Sequence, residues 1–432
     1  MNYDEAVGFY HSLLRFGVKP GLERTLALCE ELGSPQKKLK CVHVAGTNGK
    51  GSTCTFIASV LKKAGYRTGL YTSPYVIEFR ERIRLDGEYI PKDDLVSVTE
   101  RVRVALQKVN SLGIYPTEFE AITAAAFLWY VEQNTDVVVL ETGLGGRFDA
   151  TNIIDNPLAE IITSISLDHV RVLGDTIDKI AWEKAGIIKP DSAVITSVNQ
   201  HSDALRVIKN AAKENNAELI LADDKKMFSD KSVTLFGTDL QYNGQNIHIS
   251  IPGVCQSENL SLCLECFGLL KDKGYNITDS DISDGISSAF IPARTEILSR
   301  NPLVILDGSH NESSTKALSE LLKQTLQSKR ILAVMGMMAD KDIKTALGFL
   351  LPCFDEVIAV TPTNPRAMTA EKFAESVAEY QKPVVCTDKP TDGIDLALKK
   401  LNNFDALVIC GSLYLASDVR EYTIQKLNSE VK

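Results

Sequence analysis

Short apolar runs alternate along this chain with longer stretches in which apolar residues recur at helical spacing. The pattern predicts helices over residues 4–16 and 22–32, then a strand over 40–45. A helix is expected over 50–64, a strand over 68–71, and helices over 92–110 and 118–132. Residues 136–141 (Asp-Val-Val-Val-Leu-Glu) and 159–165 are continuous apolar runs, the kind that parallel strands covered on both faces carry. Residues 175–184 read as a helix capped by Asp175 or Thr176 and stopped by Gly186 and Pro190. This alternation predicts a doubly wound α/β domain. Residues 241–251 are more polar and read as a peripheral hairpin, followed by helices over 257–270 and 281–288. A second alternation then begins, with strands expected over 303–306, 331–335, 356–360 and 406–410. It predicts a smaller Rossmann-like α/β domain, with the division placed between residues 1–296 and 297–432.

Chemistry gathers where the apolar runs end. The strand at 40–45 leads into Gly46-Thr47-Asn48-Gly49-Lys50-Gly51-Ser52. Glycines let backbone N–H groups wrap closely around phosphates, Lys50 supplies a point charge, and Ser52 supplies a hydroxyl suited to Mg²⁺. Gly51 stands between the Lys and the Ser, which departs from the usual phosphate-loop spacing. His43, inside the strand, reads as a packed core histidine.

Glu141 ends the 136–141 run and precedes Thr142-Gly143-Leu144-Gly145-Gly146-Arg147-Phe148-Asp149-Ala150-Thr151-Asn152. A carboxylate at such a strand end can hold Mg²⁺, and the glycines admit a substrate close to the backbone. Asp168-His169 follows the 159–165 run, and neighbouring parallel strands would bring it beside Glu141. Mg²⁺ prefers oxygen, so a histidine ligand is unusual on chemical grounds. Thr72-Ser73-Pro74-Tyr75 opens a charged loop that reads equally as a site cover or as a solvated turn. In the second alternation, Asp307-Gly308-Ser309-His310-Asn311 and Cys410-Gly411-Ser412 repeat the strand-then-polar-turn theme and are expected to face an interdomain cleft, with Arg294 at the junction able to reach a phosphate.

Composition narrows the classes. The chain has 432 residues, 44% hydrophobic and 24% charged, with a net charge of −9. That length predicts more than one core, and that charge disfavours broad nucleic-acid or anionic-membrane binding. No apolar run is long enough to span a bilayer, and the acidic start (Met-Asn-Tyr-Asp-Glu) lacks a signal-type apolar stretch. Nine scattered cysteines fit a reducing cytosol. Cys263 and Cys266 sit one helical turn apart among leucines and read as core thiols.

Taken together, GLERTLAL at 21–28, HVAGTNGKGS at 43–52, TSP at 72–74, ETGLGGRFDATN at 141–152, LDH at 167–169, EKAGIIKP at 183–190, IPAR at 291–294, DGSHN at 307–311 and GSLYL at 411–415 resemble the folylpolyglutamate synthase and dihydrofolate synthase family of the Mur-ligase-like superfamily. The resemblance covers most of the chain in motif order. It implies an ATP-binding Mur-ligase-like domain followed by a C-terminal glutamate-ligase domain. It places ATP phosphates on Gly46–Ser52, with Asn259, Arg294 and Asp307 as further ATP contacts. It implies two Mg²⁺ sites, one near Ser52 and Ser73 and another at Glu141 and His169. It makes Lys184 a lysine carried as a carbamate, and assigns the pteroyl group to Phe119, Glu120, Phe148, Asp149 and Ala150. Glutamate falls to His310 and Ser412. Lys50, Lys184, His169, Asp307 and His310 are the catalytic set. The chain departs from the family pattern at Ser166 and Ala293, where glycine is usual, and at Cys255, where histidine usually precedes the glutamine.

The implied reaction is ligation of L-glutamate to a reduced folate through an acyl phosphate in a cytoplasmic monomer, with neither nucleic acid nor membrane as partner. Two alternatives stay open: the same chemistry on dihydropteroate, alone or in one bifunctional enzyme, and a phosphate-loop ATPase without ligase activity.

Overall fold

The computed structural model describes residues 1–13 and 20–430. It divides into two compact units, Met1–Phe228 with Ser257–Ala289, and Ser229–Gln256 with Phe290–Lys432.

The first unit is built on eight strands: β1 Cys41–Ala45, β2 Thr68–Tyr71, β3 Ile83–Leu85, β4 Glu88–Tyr89, β5 Val137–Glu141, β6 Ala159–Ile162, β7 Ala193–Ser197 and β8 Glu218–Ala222. Their order is β4-β3-β2-β5-β1-β6-β7-β8, parallel from β2 through β8, with β3 and β4 antiparallel at one edge. β1 and β5 are buried at every position, which is why both read as unbroken apolar runs. The sequence predicts β5 and β6 as neighbours; in the fold they are not, because β1 lies between them. Both ends therefore flank the phosphate loop. The register sets Glu141 opposite Val44 and Ile162 opposite Ala45, so three strand ends finish at one level.

The helix expected over 4–16 runs over Tyr3–Ser12, and residues 14–16 of that expectation lie outside the described residues. Helix Lys50–Lys63 starts at the phosphate loop, with Gly49 at its N-cap in a left-handed backbone (φ 88°) and no side-chain cap. Helix Glu118–Glu132 matches its expected span; Thr117 and Glu120 close its N-terminus reciprocally as a capping box. Helix Ile177–Ala185 is capped by Thr176, whose hydroxyl accepts from the Lys179 amide. Cys263 and Cys266 are fully buried core thiols. No helix among the described residues is long and apolar enough to cross a membrane.

The second unit carries β9 Ser229–Thr234, β10 Gly237–Tyr242 and β11 Gln245–Ile249 as an antiparallel sheet. Its larger sheet is formed by β12 Glu296–Arg300, β13 Leu303–Leu306, β14 Ile331–Met335, β15 Glu356–Val360, β16 Val384–Thr387 and β17 Ala406–Cys410, in the order β12-β13-β17-β14-β15-β16. All pairs are parallel except β12 with β13. The polar segment expected as a hairpin over 241–251 is the end of β10 and β11, which pair antiparallel, and β9 adds a third strand before it. It groups with this unit because Leu235 packs among Ile305, Leu318, Leu321 and Leu322, and the Arg300 guanidinium lies 4.3 Å from the Phe236 ring centre. Each such buried leucine contributes about 1.5–3 kcal/mol relative to exposure.

Candidate active site

The phosphate loop is held from beneath by the end of β6. The Thr163 hydroxyl donates to Asn48 O at 2.8 Å, the Thr47 amide donates to Ser164 O at 2.8 Å, and the Thr47 hydroxyl bridges the Ser166 carbonyl and amide at 3.1 Å each. Gly46 needs its missing side chain: a Cβ there would lie 1.7 Å from Thr163 Oγ1. At Gly49 a Cβ would meet Asn259 Oδ1 at 2.4 Å, so Asn259 lies directly against the loop.

Two lysines converge on one oxygen. Lys50 Nζ donates to Gly46 O at 2.9 Å and to Thr47 O at 3.1 Å, while Lys184 Nζ, from helix Ile177–Ala185, donates to the same Gly46 O at 2.7 Å. Lys184 is buried. Burial first, and then the Lys50 charge, push its ammonium well below the ordinary lysine range, against the opposing pull of Asp168, Asp149 and Glu183. The chemical result is an ammonium whose charged form is disfavoured, held against the carbonyl of a phosphate-binding loop.

Glu141 is buried, and its Oε2 accepts from the Ser73 amide at 3.2 Å. A Cβ on Gly51 would lie 3.8 Å from that same oxygen. Glu141, Ser73 and the Gly51–Ser52 turn are therefore brought together, and Ser52 is buried among them. Glu141, Ser52 and Ser73 are all oxygen donors, a set that fits Mg²⁺. His169 sits at the N-cap of the short helix Val170–Leu173 with φ 51°, exposed, while its neighbour Asp168 acts electrostatically on Lys184. Among the described residues no three His, Cys, Asp or Glu side chains group as a metal-binding cluster.

The turn after β5 is organised by Asp149. Its Oδ2 accepts from the Gly143 and Leu144 amides at 2.9 Å each, and its Oδ1 from the Thr151 amide at 3.0 Å and hydroxyl at 2.6 Å. Phe148 is half-exposed and Ala150 is buried. The Phe119 ring lies where a Cβ on Gly143 would fall, 2.5 Å from its Cζ. Glu120 is engaged by its own helix cap and by Arg24, with Nη2 at 2.7 Å and Nε at 3.1 Å from its carboxylate. Arg147 stacks on Trp182 with its guanidinium carbon 3.8 Å from the ring centre, and its amide donates to Glu183 O at 2.7 Å, tying this turn to the helix that carries Lys184.

In the second unit, Asp307 follows β13 and is buried. It accepts from the Thr295 amide (2.8 Å) and hydroxyl (3.1 Å), from the Ser309 amide (2.8 Å) and from the Ser309 hydroxyl. His310 Nδ1 pairs with Gly308 O at 2.9 Å. Ser412 follows β17 and its Oγ accepts from the Leu415 amide at 3.0 Å, starting helix Leu413–Glu430. Ala293 has φ 53°, in the left-handed region that glycine adopts without strain, while Arg294 follows it. The usual glycine there is thus explained by backbone conformation, and alanine accepts it at a cost of about 1 kcal/mol.

Sequence reasoning missed Thr163 and the shared Gly46 carbonyl. The run of hydroxyls Thr163, Ser164 and Ser166 straight after an apolar strand was the available signal for the first. The second had none, because a carbonyl is present at every residue.

Two family models match: the Mur ligase middle domain over residues 44–267 and the Mur ligase glutamate ligase domain over residues 293–413. The dihydrofolate synthase/folylpolyglutamate synthase of Bacillus subtilis (strain 168) is 36% identical over 427 residues, covering 97% of this chain and 98% of its own. The folylpolyglutamate synthase of Lacticaseibacillus casei is 35% identical over 430 residues, covering 98% of each. Among solved structures, the Mycobacterium tuberculosis folylpolyglutamate synthase complexed with ADP and AMPPCP superposes with a TM-score of 0.88 at 29% identity, covering 98% of this chain and 99% of that one. The E. coli FolC in complex with DHPP and ADP gives a TM-score of 0.85 at 30% identity, covering 100% and 99%.

Proposed function

Since the chain belongs to the folylpolyglutamate synthase and dihydrofolate synthase family of Mur ligases, we propose that it joins L-glutamate to the carboxylate of a reduced folate at the expense of ATP. The observation that carries this reading is the meeting of two lysine nitrogens on the Gly46 carbonyl, in a loop whose Gly51 lies against the Glu141 carboxylate.

The loop Gly46–Ser52 takes the triphosphate, with Lys50 against its outer phosphates and Asn259 on the nucleotide side. The folate carboxylate attacks the γ-phosphorus, ADP leaves, and an acyl phosphate forms. The amine of glutamate then attacks that acyl carbon, and phosphate leaves as the amide forms. Positioning and charge neutralisation supply most of the catalysis in such transfers. Ser52, Ser73 and Glu141 would hold Mg²⁺, which when bound neutralises charge on the phosphates. A second ion at Glu141 and His169 needs a donor beyond the unmodified side chains. Lys184 suits that need: only a neutral amine attacks CO₂, and burial beside Lys50 favours that form. The nitrogen lone pair bonds the carbon, one N–H proton is released to solvent, and an N–H carbamate anion bearing two oxygens remains. The Asp149 turn with Phe148 and Ala150 takes the folate, backed by Phe119 and Glu120. In the second unit, Arg294 is assigned to ATP, Asp307 to bracing the turn beside it through Thr295 and Ser309 rather than to a direct ATP contact, and His310 and Ser412 to glutamate.

The test is phosphate release from ATP by the purified protein with glutamate, comparing tetrahydrofolate, dihydropteroate and a UDP-sugar peptide. A glutamylated folate by mass, formed with stoichiometric phosphate, is expected. Turnover on dihydropteroate as well would mark a bifunctional enzyme, as the paired names of some relatives describe those proteins. Hydrolysis indifferent to all three substrates would overturn the ligase.

A further inference from the structure

A buried polar line connects the strand of the phosphate loop to the turn behind Glu141. His43 on β1 and Thr151 are both fully buried, and His43 Nε2 lies 2.8 Å from Thr151 Oγ1. The Thr151 hydroxyl lies 2.6 Å from Asp149 Oδ1, and Asp149 Oδ2 receives the Gly143 and Leu144 amides.

The chemistry of each group fixes the direction of every bond. Burial pushes the Asp149 carboxyl upward, but four N–H and O–H donors oppose that shift. Three of its four donors are backbone amides, which cannot turn into acceptors, so the turn is built to hold Asp149 as a carboxylate. The Thr151 hydroxyl therefore spends its one proton on Asp149 and can only accept from His43. Burial drives the imidazole down to about 3, so the ring is neutral. Its proton sits on Nε2, and Nδ1 is a bare acceptor without a hydrogen-bond partner among the described residues. Burying such an acceptor costs about 1–3 kcal/mol. A leucine or methionine would fill the position without that cost; what the ring adds is the Nε2–H.

We propose that His43 is a positioning residue for the folate-binding turn: its Nε2–H orients the Thr151 hydroxyl, which fixes Asp149, which holds the amides of Gly143 and Leu144 behind Glu141. The inference rests on the assignment of Phe148–Ala150 to the folate made above. Through β1 it also joins that turn to the phosphate loop, three residues downstream of His43.

Four variants test it: His43→Met, His43→Gln, Thr151→Val, and the His43→Met/Thr151→Val double. Amide hydrogen exchange at Gly143 and Leu144, measured without substrates, reads the relay itself. Exchange is expected to quicken about tenfold in His43→Met and Thr151→Val, with KM for tetrahydrofolate rising about tenfold and KM for ATP staying within about twofold. The double variant should be no worse than either single one, as for links in one chain. His43→Gln, whose side-chain N–H replaces the imidazole donor, should recover most of the loss. Equal damage from His43→Gln and His43→Met, additive effects in the double, or an equal rise in the ATP KM would overturn the proposal. If His43→Met does not fold, the near-isosteric Thr151→Val carries the same exchange and KM comparison. A wild-type protein that protects Gly143 and Leu144 yet performs no glutamate-dependent turnover would remove the ligase reading and leave the relay standing.

Discussion

The strand ends of the two units use charge in opposite ways. At the ends of β1, β5 and β6, two lysine nitrogens share one carbonyl, and burial keeps one of them short of its ordinary proton affinity. At the end of β13, Asp307 has both oxygens filled by the donors of Thr295 and Ser309. The first arrangement leaves electrostatic work for a polyanion to complete. The second is complete in itself and braces a turn. A charged residue at a strand end is thus not a reagent by location alone; the state of its partners decides.

Lys50→Ala breaks the contrast hardest. Steady-state turnover should fall at least about a hundredfold with little change in melting temperature, since among the described residues the lysine bonds only its own loop. Retained ligation would deny the phosphate role. Lys184→Ala comes next, with a similar loss partly restored by short carboxylic acids, whereas Lys184→Met should fold at least as stably as the parent because it relieves a buried, disfavoured charge. Full activity of Lys184→Ala would remove the carbamate.

Asp307→Asn sharpens the other side. An amide nitrogen would face donors already in place, costing about 1–3 kcal/mol of stability in a denaturant titration. Asp149→Asn should cost a similar amount and also raise the KM for folate.

The smallest effect is a slope. Glu160, on β6, is buried, and burial pushes its carboxyl up to about 7 despite bonds from the Lys189 amide and the Ser192 hydroxyl. Between its ordinary value near 4.5 and that of the folded state, the folded chain holds a proton that the unfolded chain releases. Stability is therefore greatest below that window and falls as pH rises through it, at about 1.4 kcal/mol per unit. Glu160→Gln should flatten this part of the pH–stability curve; an unchanged curve would deny the shift.

The boundaries of β2, β13, β14, β15 and β17 were legible because each is an apolar run between polar turns, and the phosphate loop because its glycines are required by geometry. Strand β8 was hidden by its partial exposure, and β9 by its polar sequence, Ser-Asp-Lys-Ser-Val-Thr. The strand order could not be read, since both orders bury the same residues; hence β5 and β6 were placed side by side. Within the site, side chains at strand ends were legible as a set. The His43–Thr151–Asp149 line was not, because its members lie 108 and 2 positions apart and only the fold brings β1 under the turn.

One consequence follows from the bond between Lys184 and the Gly46 carbonyl. Under the proposed carbamate, the nitrogen retains a hydrogen, so the tether to the loop survives while the side chain gains a negative charge. The loop would then register dissolved inorganic carbon as a new anion at a fixed address, and nucleotide affinity in degassed buffer should differ from that in bicarbonate.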